Sequence, residues 1–429
     1  MFFSVRRVSV VLTVALLAQL GLSLVTQPKA AVAAEQVDLK LNVKSAILMD
    51  AASGQILFED RADTPLPPAS MAKMMTEYLT MEAVKSGKFS WDEMVTTSQN
   101  AADVIGSGGL LALNEQVSMK DMFAAMSIYS ANDASVALAE KIAGSEEEFA
   151  KMMNAKAKEF GLSEQAHFIN ATGLSRADMG KYAPKELQGE TLLTARDAAI
   201  IAYNILKDHK EVLEYTSIPS KKFREKDKTP MINWNWMLAG NKDNINFKKY
   251  AYEGLDGLKT GSTDDAGYCF TGTAERNGMR LISVVMGTPK EPTRFEETRK
   301  VLDYGFSNFE SKPILTAKQE IDSLKTVNIK KGVATQVPVV TQTGVNFVVK
   351  KGATPDQFTI TAQPVEESKL VAPIKSGDVL GTVKVTYQGT EKVANLIANE
   401  DVEKGSWFRL FFRAIKNFFV DMVTGAKKE

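Results

Sequence analysis

The sequence is poor in the residues that most often carry redox and metal chemistry. It has one cysteine, Cys269, so no internal disulfide can form, and two histidines, His167 and His209. A histidine-based zinc centre or a Ser-His-Asp triad would need one of these beside a serine or another ligand. His209, in Lys207-Asp208-His209-Lys210, reads as a solvated helix end, and Cys269, in Tyr268-Cys269-Phe270, as a packed strand residue. No metal and no cofactor are expected. Charge of one sign is also missing: 52 basic and 52 acidic residues leave no basic face, so no nucleic acid is expected as a partner.

What is present divides the 429 residues into four stretches. Arg6 and Arg7 precede an apolar run from Val8 to Val25, and the small residues Ala30 to Ala34 precede Glu35. This pattern predicts an export signal over 1–34, with a retained membrane anchor as the alternative. Residues 35–310 read as α+β. Ala46-Ile47-Leu48-Met49 and Gln55-Ile56-Leu57-Phe58 flank turn chemistry and predict a hairpin. From about 70 to 210 the pattern is mostly helical, clearest over Asp121 to Ile142, and Thr194 with Asp197 three residues on predicts a capped helix start. The period then becomes two. Strands are expected over 266–274 and 279–286 around Arg276-Asn277-Gly278, followed by a helix over 295–309. Such an order places helices against an antiparallel sheet.

At Glu310-Ser311-Lys312-Pro313 the composition shifts, and 311–402 reads as a small β-domain with turns at Lys331-Gly332, Thr343-Gly344, Lys351-Gly352 and Gln388-Gly389. Over 403–429, Trp407, Phe408, Leu410, Phe411, Phe412, Ile415, Phe418, Phe419, Met422 and Val423 cover one broad helical face. Arg409, Arg413 and Lys416 share the opposite sector, with Asp421 near the boundary. These charges argue against a spanning helix. The pattern suits a helix lying in a membrane interface through 405–425, against the alternative of one docked on the protein's own surface.

One short stretch carries the chemistry. After Pro67 and Pro68, Ser70-Met71-Ala72-Lys73 opens a helical run, which places a hydroxyl and an amine one turn apart at a helix start. A serine becomes nucleophilic when a neighbouring base takes its proton, and a neutral amine can serve. Alone the spacing is weak, but Ser130-Ala131-Asn132 and Lys259-Thr260-Gly261-Ser262-Thr263 follow in order. Ser98-Gln99-Asn100, Lys85-Ser86-Gly87 and Lys375-Ser376-Gly377 approximate the second and third motifs and are set aside as turns or caps; Ser98 lacks a helix-opening context.

With these three motifs the chain resembles the penicillin-binding serine acyltransferases. More narrowly it resembles low-molecular-mass D-alanyl-D-alanine carboxypeptidases of the penicillin-binding protein 5 type, over about 45–309, and the signal, β-domain and tail match the same architecture. The resemblance implies Ser70 as nucleophile, Lys73 as its base and Ser130 as relay to the leaving amine. It implies Asn132 on the substrate backbone, Lys259 and Thr260 at the substrate carboxylate, Thr263 among the substrate-binding residues, and backbone N–H groups of Ser70 and Ser262 as oxyanion donors. Gly261 would let the substrate approach the strand edge. Arg294 is implied as a second carboxylate contact, with a solvated helix-start charge as the alternative. The implied partners are peptidoglycan stem peptides, β-lactams as covalent inhibitors, and membrane lipid through the tail, on the outer face of the cytoplasmic membrane. No glutamate matches the deacylating base of class A β-lactamases, and Asn170-Ala171-Thr172-Gly173-Leu174 falls where that loop would lie. A β-lactamase and a non-catalytic wall-binding protein remain the alternatives.

Overall fold

The computed structural model describes residues 37–424, so the expected signal over 1–34 lies outside it. The fold grows from a central antiparallel sheet. Strands β1 (Ser45–Asp50) and β2 (Ile56–Asp60) form the expected hairpin. The helical block follows: α1 (Lys73–Lys85), α2 (Met119–Tyr129), α3 (Asn132–Ala143), α4 (Glu146–Glu159) and α5 (Ala195–Asp208). Then come β3 (Leu255–Thr263), β4 (Gly267–Arg276), β5 (Met279–Thr288) and α6 (Glu291–Asn308), and the sheet order is β2-β1-β5-β4-β3. The β4–β5 turn works because Asn277 and Gly278 both adopt positive φ, as a two-residue hairpin of this twist requires. Helix α6 begins four residues before its expected start because Pro292 sits in its first turn, where a missing N–H costs nothing.

Helix α1 runs through the middle, with Met74, Met75 and Leu79 buried beside Met122, Met126 and Val136 of the neighbouring helices. A helix enclosed on all sides loses the polar face that would mark it as amphipathic. It also carries buried Lys73, Thr76, Glu77 and Thr80 into the core.

The expected single helix over 121–142 is two. The chain leaves α2 at Ser130 in the left-handed conformation, φ +62°, and restarts at Asn132. Both helices bury a face in the same core, so the apolar spacing carries across the break. His209 is a second correction. It is buried, packed edge-on against Tyr78 with ring centroids 4.8 Å apart, and burial lowers its pKa. The charged neighbours in its segment point outward while the helix end turns inward.

From β6 (Phe309–Leu315) the chain builds an all-β unit: β7 (Thr326–Asn328), β8 (Gln336–Thr341), β9 (Val345–Lys350), β10 (Thr359–Pro364), β11 (Val379–Tyr387) and β12 (Thr390–Ala398). Strands β6 and β9 pair, and the remaining five form a second antiparallel sheet over a core including Val337, Phe347, Val383 and Leu396. The tail is helix α7 (Trp407–Thr424). Arg413 donates to the carbonyls of Gly332 (2.9 Å) and Val333 (2.8 Å), which ties α7 to the β-domain, while Arg409 and Lys416 are exposed. Trp407, Phe408, Phe412, Phe418 and Met422 remain exposed. Among the described residues no helix is long and apolar enough to cross a membrane.

Thr194 makes a full capping box. Its hydroxyl accepts from the Asp197 N–H at 3.0 Å, and the Asp197 carboxylate accepts from the Thr194 N–H at 2.9 Å. Replacing Thr194 with Ala is expected to destabilise the protein by about 1 kcal/mol. Chemical denaturation measures this as a lower midpoint with an unchanged slope.

Candidate active site

The three motifs meet in one cleft of about 340 Å³, lined among others by Ser70, Ser130, Asn132, Thr260, Gly261, Ser262, Thr263 and Arg294. Ser70 stands on a 3₁₀ turn, Ala69–Ala72, that leads directly into α1. Two glycines hold that turn in place. A Cβ on Gly173, which has φ +82°, would lie 1.9 Å from the Ala69 carbonyl oxygen. A Cβ on Gly261 would lie 2.5 Å from the Pro68 carbonyl and 3.2 Å from the Ser70 nitrogen. The missing side chain at Gly261 therefore also makes room for the chain's own serine turn, while its backbone lines the cleft.

Lys73, fully buried beneath Ser70, has three partners: Ser70 Oγ at 2.9 Å, Asn132 Oδ1 at 2.7 Å and the Thr172 carbonyl at 2.9 Å. Two of these are carbonyl oxygens, which can only accept. A neutral amine must give them its two N–H groups, which leaves its lone pair for the Ser70 hydroxyl. Burial, and then the nearby Lys259 ammonium, hold Lys73 well below the ordinary lysine range, which favours that neutral form.

Each of the two carbonyls is fixed by its own bonds. Asn132 Nδ2 donates to the Ile105 carbonyl at 2.6 Å, so Oδ1 must face Lys73. Its second Nδ2 hydrogen stays available to a ligand. The Thr172 carbonyl belongs to a turn closed by Asn170 Oδ1, which accepts from the N–H groups of Thr172 (3.1 Å) and Gly173 (2.6 Å). Glu146 accepts from the Ala171 N–H at 3.1 Å and from Asn100 Nδ2 at 3.3 Å, bracing the turn from behind, and burial pushes its pKa up to about 6. Asn100 comes from one of the segments set aside above. Contrary to expectation Ser98 does open a helix, capping Gln99–Asp103, although it lies outside the cleft.

On the opposite wall Lys259 Nζ donates to Ser130 Oγ at 2.8 Å and to the Thr260 carbonyl at 3.0 Å. The left-handed backbone at Ser130 is what turns its hydroxyl out of the α2 axis into the cleft. Burial pulls Lys259 down to about 8, with Glu77 opposing the shift and Arg294 adding to it. Arg294 is buried and not solvated at a helix start, which removes that alternative. It donates to the Gly261 carbonyl at 3.2 Å and to Glu291 at 2.8 Å, and burial pulls it down to about 10, still cationic. Cys269 is buried, and burial pushes its thiol up to about 11.

The cleft has further walls that the motifs did not announce: Gly106, Ser107, Leu174, Trp234, Tyr268 and Glu291. The 105–111 loop is tied down from α3, where Asp133 Oδ2 accepts from the N–H groups of Leu110 and Leu111 at 2.7 and 3.0 Å. The cluster Gly106-Ser107-Gly108-Gly109 was a legible signal, because a Cβ on Gly108 would lie 2.6 Å from Asp133. Trp234 donates to the Tyr129 carbonyl at 3.0 Å and stacks on the Tyr129 ring.

Residues 30–290 match the family model described as D-alanyl-D-alanine carboxypeptidase, and 309–404 the one described as penicillin-binding protein 5, C-terminal domain. D-alanyl-D-alanine carboxypeptidase DacF of Bacillus subtilis (strain 168) is 34% identical over 383 residues, spanning 88% of this chain and 90% of that protein. The crystal structure of a peptidoglycan synthesis regulatory factor (PBP3) from Streptococcus pneumoniae superposes with a TM-score of 0.74 at 29% identity, covering 85% of this chain and all of that one. Penicillin-binding protein D2 from Listeria monocytogenes, in its ampicillin-bound form, is 34% identical with a TM-score of 0.53, covering 63% of this chain and 100% of its own.

Substituting Gly261 by Ala is expected to displace the Ser70 turn while leaving the sheet folded. Loss of a correctly placed oxyanion donor predicts a fall in acylation rate on the order of 10²–10³. Stopped-flow acylation with a reporter β-lactam, beside circular dichroism, measures both halves of that expectation.

Proposed function

The chain belongs to the D-alanyl-D-alanine carboxypeptidase family, and from that premise we propose how its residues remove the terminal D-alanine from stem peptides ending in D-Ala-D-Ala. The enzyme is a serine-type hydrolase and is acylated by β-lactams. The observation that carries the residue assignment is the three-way contact of Lys73 with Ser70, Asn132 and the Thr172 carbonyl.

In this reading the peptide lies along the edge of β3, with its terminal carboxylate facing Lys259, Thr260 and Thr263 and its backbone held by Asn132. Lys73 takes the Ser70 proton as Oγ bonds to the penultimate carbonyl carbon, and the oxygen charge falls to the N–H groups of Ser70 and Ser262. As the C–N bond breaks, the Ser130 hydroxyl donates its proton to the leaving amine and recovers one from Lys73. D-alanine departs, leaving an ester on Ser70. Water attacks the ester carbonyl and releases the shortened peptide, and the Ser70 oxygen regains its proton. Arg294 braces this arrangement through the Gly261 carbonyl and adds a buried positive charge beside the carboxylate site.

The remaining stretches fit a cell-wall enzyme: an export signal over 1–34, a catalytic domain over 35–310, a β-domain over 311–402 and a tail over 403–429. The tail would hold the enzyme peripherally on the outer face of the cytoplasmic membrane. Supporting this, α7 spends Arg413 on the β-domain and leaves its aromatic face uncovered.

Intact-mass measurement after incubation with penicillin, and product analysis with a D-Ala-D-Ala peptide, test the activity. The expected outcome is a stable adduct together with D-alanine release, both lost in Ser70→Ala. Rapid penicillin turnover without D-alanine release would instead identify a β-lactamase. Deleting 405–429 is expected to leave peptide cleavage unchanged and to abolish co-sedimentation with anionic lipid vesicles. Continued sedimentation would exclude the tail as the tether.

A further inference from the structure

Behind the cleft lies a carboxylate that the mechanism above does not use. Glu77 stands on α1 one turn beyond Lys73, on the same face and deeper in the core. It is completely inaccessible to solvent, and neither carboxylate oxygen has a hydrogen-bond partner. Ser127, on α2 and three residues before Ser130, lies beside it with its own hydroxyl unpartnered. An ionisable group in such surroundings needs a nearby opposite charge to remain ionised.

The groups that face this pocket come from every packed element. Lys73 shares the α1 face, and Lys259 approaches from β3. Asp133 at the start of α3 and Glu146 at the start of α4 act on Lys73, and Arg294 on α6 acts on Lys259. Asp133 and Glu146 are committed to backbone N–H groups of the cleft loops. Glu77 makes no such bond to a backbone N–H, and the Ser127 hydroxyl is the polar group beside it.

We propose that Glu77 is a positioning residue whose buried charge keeps the Lys259 ammonium protonated while Lys73 is neutral, and so sets the pH window in which one amine is a base and the other an anchor. The proposal rests on the catalytic reading given above. Catalysis there needs an uncharged Lys73 and a cationic Lys259, yet burial drives both lysines toward neutrality. Ionised Glu77 favours the charged form of both amines, and so places the window between them at higher pH than burial alone would. Burial pushes the Glu77 carboxyl itself up from the ordinary carboxylate range, opposed by the two lysines, so its charge and theirs are linked.

The sign of the effect follows. Removing the carboxylate charge lowers both lysine pKa values. The acidic limb of kcat/KM, where Lys73 loses its proton, and the alkaline limb, where Lys259 loses its own, both move to lower pH. For the full chain, kcat/KM on a D-Ala-D-Ala peptide and the penicillin acylation rate are to be measured across pH for wild type, Glu77→Gln and Glu77→Leu. The expected result is that both variants shift both limbs downward by on the order of one pH unit. Unmoved limbs in a folded variant, or a uniform loss of rate across pH, would overturn the proposal. If neither variant folds, the wild type decides: an infrared band of a protonated buried carboxyl that persists across the whole pH range of activity would show Glu77 uncharged and would equally overturn it. A wild type that releases no D-alanine and forms no penicillin adduct sinks the functional reading instead.

Discussion

An amine buried between two carbonyl oxygens is the constraint on which the rest of this structure depends. The carbonyls of Asn132 and Thr172 accept and cannot donate, so they fix which way the Lys73 lone pair points. Water would compete for all three positions, and the surrounding helices exclude it. Burial therefore does two things together: it lowers the proton affinity of the amine, and it preserves the geometry that aims the free electron pair at Ser70.

Much of the remaining architecture keeps those groups in place. Asn132 is oriented by the Ile105 carbonyl, the Thr172 turn is closed by Asn170 and braced by Glu146, and the 105–111 loop is held by Asp133. The serine turn is gripped between Gly173 and Gly261, where any side chain would collide with backbone. The grips of Gly173 and Gly261 on the serine turn join segments far apart in the chain, and that is why a central sheet and a largely buried helix are needed to bring them together. Among the described residues the cleft is lined only by the first domain, and the aromatic face of α7 stays exposed.

The comparison of sequence and structure is instructive at particular residues. The β1–β2 and β4–β5 hairpins were legible because alternation and turn chemistry are local. The capping box at Thr194 and the break in composition before the β-domain were legible for the same reason. The division of 119–143 into two helices was not, because both halves bury their faces in one core and the apolar spacing runs through the break. His209 was misjudged where charged neighbours suggested solvent, since the direction a side chain takes at a helix end is a tertiary outcome; for Arg294 the same burial removes the solvated alternative and leaves it lining the cleft. At Gly261 the sequence did not show a further partner: its missing side chain makes room for the protein's own serine turn.

Three motifs in order were enough for the amino-acid sequence alone to point to the family and the reaction class, and to single out Ser70, Lys73 and Lys259 as residues that the fold then gathers around one cleft. Residue type and spacing carry that information, because acyl transfer by serine requires a particular small set of functional groups. Only the folded chain decided how those groups differ from one another. Depth of burial sets the proton affinity of each amine, the carbonyls of Asn132 and Thr172 set the direction of Lys73, and Glu77 becomes a buried neighbour of both lysines only once α1 is enclosed. Those are properties of distance and dielectric surroundings, and they come into being when remote segments close around a common centre.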